Sequence, residues 1–296
     1  MSWDVEISML GELRHQESLS AHTTLGIGGP ARWYFRPANM PSLLSALPLI
    51  PASTLIMPMG RGSNLLVPDQ GIDGLIMDLS HLDTIETTGK MLSAGAGARM
   101  GKTAQAAANA GLAGLEFMAT VPGDIGGGIA TNAGAFGQQV SDTLKSITLC
   151  NRHGETRTLQ RCELDMQYRH TALPEQTLVL SASFTLSTDS SMAIRERMRQ
   201  MRAKRSASQP LAMPNCGSVF KNPQGDHAAR LIEAAGLKGI RVGHARISDM
   251  HANFIINEGG ASYQDVLQLI RMAREQVHTK FDILLEPEVR MLGEQP

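Results

Sequence analysis

Two glycine-rich stretches define the chemistry this sequence can support. GRGSN, Gly60 to Asn64, follows a strand-like run, and its succession of small residues lets main-chain N–H groups converge on an anion. Ser63 and Asn64 add side-chain donors to that turn. The second stretch, PGDIGGGIATNAGAFG from Pro122 to Gly137, would let a flat cofactor and its pyrophosphate lie against bare backbone. Either stretch alone could be an unrelated turn; together they support a dinucleotide cradle built from loops rather than on the first helix of a Rossmann unit. A third cluster, GAGARMG from Gly95 to Gly101, fails both familiar fingerprints. A dinucleotide pattern needs glycine where Met100 stands, and a phosphate loop ending in Gly101-Lys102-Thr103 needs glycine where Ala96 stands. A tight turn is the better reading there.

Short strand-like runs alternate with helical ones around these loops, which favours an α+β chain. Strands are expected near 31–36, at 54–60, through LIMDLS, at 84–88 and at MLSAGAG. More follow near 146–150, 155–159 and 177–186. The alanine-rich run 101–110 reads as a helix stopped by Gly111. The stretch 114–137 reads as a long loop. Asp226 is expected to cap a helix ending at Gly236, and Ser262 with Asp265 to cap a helix to His278. ILLEPEVRML, near the end, is strand-like.

With 296 residues the chain has about two domains' worth of length, and 42% hydrophobic against 19% charged residues argues for a folded core. A net charge of −1 gives a nucleic acid no general electrostatic foothold. The basic run of helix Arg195 to Lys204 therefore reads as a solvated face. Glycine is the skewed residue: 19 of 29 fall between Gly26 and Gly137. Cys150, Cys162 and Cys216 form no C-x-x-C pair and the histidines no ligand cluster, so neither disulfides nor a metal is expected. The first ten residues carry Asp4 and Glu6 without a basic residue, unlike a secretory signal. The apolar stretch 43–59 is broken by Pro48, Pro51 and Pro58. The expectation is a cytoplasmic protein with no membrane partner.

Seven segments together resemble one enzyme family: TTLGIGGPA (23–31), GRGSNLLVPDQGIDG, the 122–137 stretch, MQYRHT (166–171), NCGSVFKNP (215–223), ARLIEAAGLKG and LEPEVRMLGE. In that order they are similar to the UDP-N-acetylenolpyruvoylglucosamine reductases of peptidoglycan precursor synthesis, type II branch. The resemblance implies an FAD-binding region of the PCMH/vanillyl-alcohol-oxidase type in two parts, 1–57 (with 289–296 returning to it) and 58–205, and an α+β substrate domain at 206–288. It implies non-covalent FAD, NADPH as reductant, a UDP-sugar substrate and a monomer. Gly60, Arg61, Gly62, Ser63 and Asn64 would contact FAD from one loop. From the other, Pro122, Gly123, Gly126, Gly127, Asn132 and Ala133 would do so. The family's catalytic trio falls on Arg169, Ser218 and Glu288, and its substrate contacts on Tyr168, Lys221 and Asn222. One departure is His22, where the family often carries asparagine.

That trio suits the implied reaction. Hydride addition to an enolpyruvyl group builds negative charge on its carboxylate, which a guanidinium at Arg169 would stabilise bidentately. Glu288, kept protonated by burial, would donate to the same oxygens, and Ser218 would protonate the neighbouring carbon. Cys216, two residues before Ser218, would share its side of an extended strand and reads as packing. The competing classes are another FAD oxidoreductase, a non-catalytic nucleotide-binding module, and a phosphate-loop enzyme relying on Lys102.

Overall fold

The computed structural model describes residues 2–292, which group into two units. One comprises 1–15, 33–60 and 74–204; the other comprises 16–32, 61–73 and 205–296. Helix and strand are mixed throughout, the α+β composition expected.

In the first unit, a five-stranded antiparallel sheet runs in the order Thr156–Gln160, Leu144–Cys150, Leu178–Thr185, Met91–Gly95, Ile85–Thr88. A four-stranded sheet has the order Gly11–Ser18, Pro30–Pro37, Ile72–Asp78, Ile56–Met59, with its last two strands parallel. Phe35, Leu75, Phe117, Ile147 and Phe184 are among the side chains of one continuous core. The helix Met100–Asn109 buries Thr103, Ala104, Ala107 and Ala108, positions three and four apart that give it one inward face. Gly111 takes φ 67° just beyond it, the left-handed conformation that makes glycine a natural stop.

The stretch 114–137 departs from the expected loop: it contains a helix, Ile125–Ala130, with glycines at three of its six positions. Glycine's poor helical propensity is overridden by tertiary bonds. The N–H groups of Ile125 and Gly126 donate to the carbonyls of Ala98 (2.9 Å) and Ala96 (2.8 Å). A Cβ at Gly126 would lie 3.2 Å from that of Ala96, and one at Gly128 3.0 Å from Met100 Sδ.

The basic helix, Ser191–Ser208, is also more than a solvated face. Arg197 donates through Nε and Nη2 to the buried carboxylate of Glu116 and through Nη2 to Asp189. Arg195 reaches Asn109 Oδ1, and Ile194 and Met198 are buried beneath. Its arginines dock the helix on 109–119.

In the second unit, the helix Tyr263–Phe281 carries the expected Ser262–Asp265 capping box and buries Val266, Leu267, Ile270, Ala273 and Val277. Against this lie Leu25, Ile27, Leu66, Phe220, Leu231 and Val289 in one core. The helix Ala228–Ala234 starts later than expected, with His227 at its N-cap. The carboxylate of Asp226 instead pairs with Arg230, while Asn222 Oδ1 accepts from the N–H of Ala228 at 3.1 Å. ILLEPEVRML is not one strand: only Arg290–Met291 is paired regularly, in parallel with Leu65–Leu66, and Phe220 bridges Pro287. That pairing is the form the expected return of 289–296 takes among the described residues; 293–296 lie outside them.

Candidate active site

The glycine stretches are held by contacts that leave room only for hydrogen. A Cβ at Gly60 would fall 2.7 Å from Asp124 Oδ2, and Gly62 sits at φ 58°. Gly123 takes φ 119° and accepts from the N–H of Met100 at 3.1 Å. Gly127 differs: a Cβ there would meet nothing within 4 Å, so its exposed main chain is open to close approach. Bare backbone beside open space fits a flavin dinucleotide, with Pro122, Gly123, Gly126, Gly127 and Ala133 on one side. The Gly95–Gly101 cluster is a tight turn. A Cβ at Gly95 would sit 2.1 Å from the carbonyl oxygen of Leu82, and one at Gly97 2.1 Å from that of Leu79. Its carbonyls at 96 and 98 are the ones that receive Gly126 and Ile125. The cluster without a fingerprint is thus the rack on which the second loop hangs.

Arg169 stands in the two-residue connection of a hairpin whose strands, Met166–Gln167 and His170–Thr171, pair antiparallel. Its φ is 57°, a conformation costly for any residue with a Cβ. Its guanidinium carbon lies 5.1 Å from the ring centroid of Tyr168, which is 48% exposed. Tyr168 thereby lends the guanidinium an aromatic face.

Ser218 and Glu288 meet in the second unit. The N–H groups of Glu288 and Val289 donate to the carbonyl of Val219 at 2.8 and 3.2 Å, one residue beyond Ser218. Lys221 N donates to Glu286 O at 2.9 Å, extending the contact, and Lys221 Nζ reaches Glu286 Oε1 at 2.5 Å. Both Ser218 and Glu288 are half-buried. Asn64, from the first glycine loop, donates through Nδ2 to the carbonyl of Glu288 at 3.0 Å, and Arg290 N donates to Asn64 O at 3.0 Å. The expected strand through Cys216 and Ser218 is not formed, because Gly217 between them takes φ 78°. Cys216 is buried in the core, and burial pushes its thiol up to about 12, so it packs as an uncharged side chain. His22, the departure noted above, has Nε2 2.8 Å from Glu17 Oε1.

Sequence reasoning missed two buried asparagines. Asn253 bonds Phe220 twice, accepting from its N–H at 2.9 Å and donating to its carbonyl at 2.8 Å, and so fixes the strand end beside Ser218. Asn257 donates to Leu25 O and accepts from the N–H groups of Gly259 and Ala261. Both interrupt the apolar run ANFIIN, and polar residues inside such a run must find partners when buried. Among the described residues no group of three or more His, Cys, Asp or Glu could hold a metal ion, and no helix is long and apolar enough to cross a membrane.

Comparison with known proteins agrees with this geometry. The FAD binding domain model matches residues 31–160, and the model of the UDP-N-acetylenolpyruvoylglucosamine reductase C-terminal domain matches 209–292. The protein is an FAD-dependent oxidoreductase of α+β fold, with an FAD-binding region and a distinct C-terminal domain. UDP-N-acetylenolpyruvoylglucosamine reductase of Alkalilimnicola ehrlichii is 40% identical over 96% of both chains. That of Latilactobacillus sakei is 40% identical over 98% of this chain and 97% of its own. The crystal structure of the Thermus caldophilus reductase superposes with a TM-score of 0.83 at 32% identity, covering 96% of this chain and all of that one. The chain belongs to the UDP-N-acetylenolpyruvoylglucosamine reductase family.

Proposed function

We propose that this protein reduces the enolpyruvyl group of UDP-N-acetylenolpyruvoylglucosamine to the lactyl ether of UDP-N-acetylmuramate, with NADPH as the reductant, as a cytoplasmic monomer in three parts. The observation that carries the reading is the bond from Glu288 N–H to the carbonyl beside Ser218, which joins two of the three residues that matched the family's catalytic pattern. Bound FAD supplies the relay of hydride from NADPH to the enolpyruvyl double bond.

The chain's own residues handle the charge and the proton. Arg169 binds the substrate carboxylate with two parallel N–H donors and holds it more strongly as negative charge accumulates there. Glu288, as a carboxylic acid, donates to the same oxygens. Ser218 Oγ delivers the proton to the carbon next to the carboxylate, a step open to a hydroxyl because the developing carbanion is strongly basic and is met within hydrogen-bond reach. Tyr168 keeps the guanidinium oriented, and Lys221 and Asn222 meet the UDP-sugar. Asn222 also holds the first turn of Ala228–Ala234, which fixes where its amide stands.

The test is direct. The purified protein should carry FAD and oxidise NADPH only when the enolpyruvyl sugar is present, with UDP-N-acetylmuramate as product. A protein that takes up no FAD, or that carries FAD and leaves the sugar unchanged, refutes the proposal. Turnover of a small alcohol or sugar would instead favour an oxidase of the same cradle type.

A further inference from the structure

We infer that Asn132 is a positioning residue for Arg169, acting through the hairpin that carries it. The inference rests on the role proposed above for Arg169. Asn132 has no exposed surface, and its carboxamide is engaged by three protein segments. Nδ2 donates to the carbonyl of Gln167 at 2.9 Å and to Gln139 Oε1 at 3.2 Å, while Oδ1 accepts from the N–H of Ser141 at 3.0 Å. Both amide hydrogens are used within the protein. The side chain therefore shapes the site through what it holds, which departs from the direct FAD contact expected from the sequence.

What it holds is one arm of the Arg169 hairpin. The other arm is tied to the same short stretch: Thr171, also buried, donates through Oγ1 to the carbonyl of Ile129 at 2.5 Å. Residues 129–132 thus grip Gln167 and Thr171, and between the two grips the chain must turn through Tyr168 and Arg169. A left-handed conformation at Arg169 persists only where its surroundings over-determine it, and two anchors flanking a two-residue connection do so. Asn132 itself takes φ 40° directly after the helix Ile125–Ala130, a conformation that asparagine tolerates better than most residues. One side chain therefore links the glycine-rich stretch to the residue that binds the substrate carboxylate. The sequence signal was an asparagine in the stretch read as cofactor contact; its partners lie 7 to 35 residues away.

The experiment is a double-mutant cycle on the FAD-loaded, oxidised protein, reading the affinity for UDP-N-acetylenolpyruvoylglucosamine by calorimetry without NADPH. Asn132→Gly removes the carboxamide while leaving the φ 40° backbone accessible, and Thr171→Val removes the second anchor at constant shape. Each should weaken sugar binding by about 100-fold, the scale of an ångström-level misplacement, and raise KM more than it lowers kcat. Neither should weaken binding further in an Arg169→Ala background. Equal losses with and without Arg169, or wild-type affinity in the single variants, would overturn the inference. Should Asn132→Gly not fold, the Thr171→Val cycle decides alone. If the wild-type protein fails to bind the sugar, the proposed function fails; if it binds and the cycle is additive, only the positioning role fails.

Discussion

The side-chain amide of Asn64 donates to the carbonyl of Glu288 at 3.0 Å, across 224 residues of sequence. An expected member of the anion-binding turn therefore also fixes the backbone of an expected catalytic residue. Replacing Asn64 with Ala leaves that half-buried carbonyl without this donor, at a cost of about 1–3 kcal/mol in unfolding free energy. Urea denaturation of Asn64→Ala should show that loss, and NADPH oxidation with the enolpyruvyl sugar should fall with it. Wild-type stability in the variant would mean that the bond contributes nothing net.

Glu288 separates two kinds of carboxyl role. A group that acts by donating a hydrogen bond to the substrate's oxygens is better replaced by Gln, which keeps a donor at the same reach, than by Asp, which shortens the side chain. Steady-state kcat should therefore fall less in Glu288→Gln than in Glu288→Asp. The reverse order would show that negative charge, and not donation, is what the site needs at this position.

Asp78 governs acid stability in the first unit. Burial opposes its ionised form, but the Tyr34 hydroxyl (2.6 Å), the Ser80 N–H (2.8 Å) and the Arg36 guanidinium (2.6 Å) outweigh burial and hold its carboxyl below the ordinary 3.8. A carboxyl lowered by folding contributes stability above its unfolded value, and that contribution is lost as pH falls through the folded one. Asp78→Asn should cost roughly 3 kcal/mol near neutral pH, by breaking a buried charge pair. The gap to the wild type should shrink below about pH 3.8. Chemical denaturation across pH checks this, and a pH-independent gap would contradict it.

How much was legible in the sequence depended on whether the cause was local. Gly62, Gly111 and Gly123 could be read because a left-handed turn is a property of one residue. The Ser262–Asp265 box spans four residues and was equally plain. Asp226 misled because Asn222, six residues before Ala228, supplies the acceptor at that helix start. The helix Ile125–Ala130 was hidden by its own glycines, since its stability comes from carbonyls of the Gly95–Gly101 turn. Ser218 and Glu288 were found by their family pattern, but their adjacency through Val219 joins parts of the chain some 70 residues apart, and neither segment signals it. The grip of Asn132 on Gln167 is hidden for the same reason.

The central claim is that Ser218 gives the proton to the substrate and takes no part in reduction of the flavin. Stopped-flow measurement of the two half-reactions in Ser218→Ala tests it most directly. NADPH should bleach the flavin at close to the wild-type rate, while reoxidation by UDP-N-acetylenolpyruvoylglucosamine should slow by at least about 100-fold, the lower range for loss of a general acid. Equal slowing of both half-reactions, or reoxidation at the wild-type rate, would contradict the account.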